Sequence, residues 1–126
     1  MHRIILLGVG GYALVNAFYI LGATEHWYNS VPGVSATGPL NRHLAWDVGL
    51  VFLTSGLALI WAGLRSDVTA AVLGAAWLVL HALFHLWIWM HRGFPADLMA
   101  LTNLLGIQLP AALAVVAAHR LREDLR

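Results

Sequence analysis

Four apolar runs, each close to twenty residues long, dominate this chain: Ile4–Ala23, Leu44–Leu64, Val68–Met90 and Leu98–Ala118. About twenty helical residues cross the ~30 Å hydrocarbon layer of a bilayer. Inside that layer every backbone N–H and C=O must be paired within the protein, which leaves helices or closed barrels. The runs carry no period-two alternation, so the expected fold is all-α: an antiparallel four-helix transmembrane bundle. Of the 126 residues only 10% are charged, against roughly 25% in a soluble domain. The lipid bilayer is therefore the expected surrounding. Four spans use up the chain, giving a single integral membrane domain over residues 1–126. The first run follows Arg3 in the manner of a signal peptide, but it is read here as a retained span.

The connections carry the expected punctuation. Residues 24–42 form the only long one, with Pro32, Gly33, Gly38 and Pro39 marking successive turns in an ordered polar loop. Asn41 is placed to cap the second helix, and Arg65-Ser66-Asp67 makes a tight hairpin in which Ser66 or Asp67 caps the third. In His91–Asp97, Gly93 can end one helix and Pro95 start the next.

Orientation follows from arginine, because the chain has no lysine. With cytoplasmic termini, Arg3, Arg65, Arg120, Arg122 and Arg126 lie inside, and only Arg42 and Arg92 outside. That bias favours an N-in, C-in protein of the bacterial inner-membrane type with its long loop in the periplasm. Trp27, Trp46, Trp87 and Trp89 then form an aromatic belt at the outer surface, with Trp61 at the inner one.

Ionisable residues inside such spans are costly and usually functional. Two pairs stand out, His43 with Asp47 and His81 with His85, each at i,i+4 spacing and hence on one helix face. Asp47 and His85 each lie roughly 9 Å from the outer ends of their helices. His43 is one turn shallower and His81 one turn deeper. The three-residue hairpin makes the two helices neighbours, so the four side chains share one outer-leaflet slab and are candidate ligands of a transition-metal ion. Without cysteine the donors are nitrogen and oxygen only, which suits copper, zinc or iron. Asp47 is the candidate to support a ligating histidine rather than bind directly.

This donor set resembles the zinc site of membrane hydrolases of the alkaline-ceramidase and adiponectin-receptor group, which also joins an intramembrane His and Asp to a His-x-x-x-His pair. The likeness covers four side chains. Those proteins have seven helices in a different order, so what it implies is zinc-dependent hydrolysis, not membership. In a hydrolytic site Asp47 or Glu25 would act as general base. In a redox site Tyr19 or Trp46 would relay electrons. Glu25, His26 and His91 lie near enough in sequence to join the cluster. Tyr12, Asn16, Tyr19, Thr54 and Asn103 fit ordinary interhelical hydrogen bonding. His2 and His119 fall outside the spans.

Other readings stay open: haem b held by two imidazoles from the second and third helices, a hydrogen-bonded polar core without cofactor, or a non-catalytic accessory subunit of a larger membrane complex. Net charge is +1 with no basic patch, which excludes nucleic-acid binding. Gly49, Gly56 and Gly63 recur every seven residues, about 140° from the His43/Asp47 face at 100° per residue. The polar face is thus expected inside the bundle, and the glycine face against another helix or a second copy. Imidazole must be neutral to ligate, so metal should be kept at neutral pH and released below about 6.

Overall fold

Side-chain caps set the starts of three of the helices. In the computed structural model, which describes residues 1–125, α1 spans His2–Gly22, α2 Thr24–Ser30, α3 Arg42–Arg65 and α4 Val68–Arg92. After a break come α5 (Leu98–Asn103), a π turn (Leu104–Gln108) and α6 (Leu109–Asp124). The Asn41 side chain accepts a hydrogen bond from Leu44 N at 3.1 Å, and Asp67 accepts one from Ala70 N at 3.0 Å. These are the expected caps, each worth about 1 kcal/mol. The fourth span is capped by Asp97, which accepts from Met99 N and Ala100 N, rather than begun at Pro95.

Four stretches, namely α1, α3, α4 and the run from α5 through α6, are long and apolar enough to cross a membrane, and no strand is present among the described residues. His2 lies 3.3 Å from Asp124, so the two termini share one end of the bundle. The α3–α4 hairpin joins them there. Arg3 donates from Nε to Gly63 O at 2.8 Å and from Nη2 to Leu64 O at 2.9 Å, placing a cation on the exposed carbonyls at the C-terminus of α3. This is the terminal end; the opposite end, holding residues 23–41 and 93–97, is the loop end. Arg126, counted above with the cytoplasmic arginines, lies outside the described residues.

α3 packs against α1 through its glycines. A Cβ at Gly56 would fall 2.8 Å from Leu14 Cδ2 and 3.0 Å from the carbonyl oxygen of Gly10. Gly49 meets Leu21 in the same way, and Gly63 meets Leu7. Small residues let two membrane helices approach to backbone contact, and here that approach is made inside the bundle. The expected arrangement of α3 is therefore reversed. Its glycine face is buried against α1, and the His43/Asp47 face points outward.

The fourth span is not a uniform helix, and Pro110 explains why. In an α-helix residue 110 would donate its N–H to Gly106 O, but proline has none and its ring presses on that carbonyl. The chain instead widens into the π turn, in which Leu109 N reaches Leu104 O. Tyr12 of α1 donates its hydroxyl to Gly106 O at 2.7 Å, and Gln108 Nε2 donates to Ala82 O of α4 at 3.1 Å. Tyr12→Phe should cost about 1 kcal/mol, within the ~0.6 average and ~1.7 maximum found for such bonds in membranes. Adding Pro110→Ala should recover most of that loss, because alanine restores the missing N–H. Unfolding of the solubilised protein in SDS checks both.

The long connection is more ordered than a string of turns. It contains α2 and a short 3-10 turn, Ser35–Thr37. Trp46 Nε1 donates to Thr24 Oγ1 at 3.1 Å, Tyr28 donates to Gly38 O at 2.8 Å, and Arg42 pairs with Glu25. Gly33, at φ +90°, lies tightly against Met99 of α5. Trp27 and Leu40 pack onto the core. The connection therefore lies over the loop end of the bundle.

Candidate functional site

The two ionisable pairs meet different fates. His43 Nε2 and Asp47 Oδ2 are 3.5 Å apart, with side chains 90% and 55% exposed. His81 and His85 are partly buried, and each contacts other ring systems: His81 stacks on Trp77 with centroids 4.9 Å apart, and His85 stands edge-on to His81 at 4.6 Å. Phe52 of α3 closes on Trp77 edge-on at 6.2 Å. The structure thus keeps each pair intact but does not join the two. Among the described residues no group of three or more His, Cys, Asp or Glu is placed to hold a metal ion. A haem held between α3 and α4 would need His43 turned towards the bundle, and it is turned away.

The His81/His85 pair has other company. Trp77, His81 and His85 follow one another at four-residue intervals, so their side chains form a slowly turning lane on the bundle side of α4. Asn103, the last residue of α5, faces His85 and is only 6% exposed. Its Nδ2 donates to Met99 O at 2.9 Å, whereas its buried Oδ1 has only the His85 ring as a partner. Trp77 Nε1 is, among the described residues, a buried polar side-chain atom with no partner. An unpaired buried donor costs about 1–3 kcal/mol, and the Trp77 indole N–H carries that cost beside the imidazole pair.

Chemically, this lane offers two imidazole nitrogens and an amide oxygen as metal donors, with an indole N–H able to donate to a bound oxygen. It equally offers a donor and an acceptor to a small polar molecule. Stacking on Trp77 restrains the ring of His81. The π turn begins immediately after Asn103 and is held by Tyr12 and Gln108, so the residue before it is fixed against α4; such turns often mark functional positions.

The remaining candidates are engaged elsewhere. Tyr19 hydroxyl and His26 Nδ1 lie 2.6 Å apart, and His26 Nε2 lies 3.4 Å from Ser30 Oγ. Glu25 is paired with Arg42, and His91 Nδ1 lies 2.8 Å from Trp87 O. Thr54 is exposed and bonds back to Val51 O at 2.9 Å. Two grooves, of about 280 and 320 Å³, run along the α1–α6 and α4–α6 seams and are lined almost wholly by apolar side chains. Neither includes His81, His85 or Asn103.

Sequence reasoning missed Trp77 as a member of the lane and treated Asn103 as an ordinary hydrogen-bonding residue. The four-residue spacing from Trp77 to His81 was a readable signal. Nothing local marks Asn103, which lies just ahead of the π turn. No protein-family model, no curated protein and no solved structure matches the chain.

Proposed function

We propose that this chain is an integral membrane protein that binds a transition-metal ion on His81 and His85, with Asn103 Oδ1 as a further donor. In this reading Trp77 Nε1 donates to an oxygen bound at the same centre. His43 and Asp47 are not ligands. The observation that carries the proposal is an i,i+4 imidazole pair with the buried Asn103 amide against His85 and the buried, unpaired Trp77 indole N–H beside the His81 ring. A metal held there would take His81, His85 and the Asn103 amide oxygen as donors and supply Lewis-acid or redox chemistry. A hydrogen-bonded core without metal would pair Asn103 Oδ1 with the His85 ring and leave Trp77 Nε1 unsatisfied.

With two nitrogens and an amide oxygen from the chain, a coordination position stays open for water or substrate. Copper, iron and zinc all accept these donors, and the Irving–Williams order favours copper at equal availability. Arg3, Arg65, Arg120 and Arg122 lie on elements ending at the terminal end, and Arg42 and Arg92 at the loop end. Positive-inside bias therefore supports cytoplasmic termini and a metal site near the periplasmic face. Ser35→Cys should then be labelled by a membrane-impermeant maleimide added outside intact cells. Labelling of that residue only from the cytoplasmic side would reverse the orientation.

Elemental analysis of protein purified without chelators tests the function. The expected result is close to one copper, zinc or iron per chain. Protein that carries none, and takes up none on dialysis against each ion, contradicts the proposal.

A further inference from the structure

The outward face of α3 is polar at one end and apolar along the rest. His43, Asp47, Leu50, Thr54, Leu57 and Trp61 are all exposed and recur at alternating steps of four and three residues. That is the spacing of a left-handed helix–helix seam. Thr54 satisfies its hydroxyl within its own helix, at 2.9 Å from Val51 O. His43 Nε2 and Asp47 Oδ2 lie 3.5 Å apart and both side chains are mostly open, so each keeps capacity for a further partner.

A carboxylate facing lipid one turn inside the span is unfavourable, and the cost rises with depth. The pair is also self-complementary. A two-fold axis along the membrane normal keeps two copies of α3 parallel and at equal depth. Residue i of one copy then contacts residue j of the other, and the reverse. A four-residue offset, the separation of His43 and Asp47, is what neighbouring positions of a parallel seam span. No further sequence is needed to give each imidazole and each carboxylate a second partner.

We propose that two copies of this chain associate through this face of α3, with His43 of each copy against Asp47 of the other and Leu50, Leu57 and Trp61 packing along the seam. The glycine stripe takes no part, because it is already buried against α1. The metal site lies on another helix face, so association and metal content are separable.

The chain has no cysteine, so single-cysteine variants report cleanly. Leu50→Cys should give a covalent dimer when isolated membranes are oxidised with iodine. Val72→Cys, on the exposed face of α4, should not. Adding Asp47→Ala to Leu50→Cys should lower the dimer yield at least fivefold at equal expression and helix content. The exchange of both residues, His43→Asp with Asp47→His, should restore it, which a role confined to stabilising the fold would not do. Equal crosslinking at positions 50 and 72, or a yield indifferent to Asp47→Ala, overturns the proposal.

Discussion

Gly56→Leu should prevent the bundle from assembling. A Cβ alone at that position would lie 2.8 Å from Leu14 Cδ2 and 3.0 Å from Gly10 O. The leucine side chain could turn aside, but the Gly10 carbonyl is backbone and moves only with α1. Overpacking ordinarily costs 1–3 kcal/mol, and this case lies beyond that range because two helices must separate along their length. We expect at least a tenfold loss of monodisperse protein after extraction, and a lower SDS midpoint for what remains. Gly8→Leu is the matched control, since nothing lies within 4 Å of a Cβ there, and it should behave like the wild type. Tolerance of Gly56→Leu with intact stability would mean that α1 and α3 do not cross at this contact.

His81→Ala and His85→Ala should each weaken metal binding by at least 100-fold. Loss of a residue that only supports a ligand typically costs 10–100-fold, and removing one of two imidazoles should exceed that. Trp77→Phe keeps the ring stack and deletes only the N–H, so it should fall inside the 10–100-fold range. Asn103→Ala should fall at or above its upper end, and Asn103→Asp should tighten binding by placing a charge on the donor oxygen. His43→Ala and Asp47→Asn should leave affinity within twofold, because both side chains point out of the bundle. Competition titration with a chromophoric chelator measures all seven. Equal losses at Asp47 and His81 would return the carboxylate to the site.

The contrast between those residues marks where sequence reasoning stopped. Span positions, the Asn41 and Asp67 caps and the hairpin at Ser66 were legible, because they rest on local hydropathy and end-group chemistry. The facing of α3 was not. It bears two stripes on nearly opposite sides, and both are sound candidates for burial: glycines permit close packing, and ionisable groups avoid lipid. The choice is made by α1, where Gly10 lets the backbones touch and Leu7, Leu14 and Leu21 lie over Gly63, Gly56 and Gly49. With that face committed, His43 and Asp47 had to face outward. The π turn was legible in principle from Pro110, which strips Gly106 O of its donor. Its effect on Asn103, seven residues earlier, depends on contacts with α1 and α4 that no local pattern reveals.

X-ray absorption at the edge of the bound metal tests the central claim most directly, because imidazole rings give a characteristic multiple-scattering signal that can be counted. Our account predicts two imidazoles per metal together with oxygen donors in the wild-type protein, one imidazole in whatever metal His81→Ala retains, and an unchanged spectrum in His43→Ala. A wild-type spectrum with no imidazole, or with a third one that disappears in His43→Ala, would contradict it.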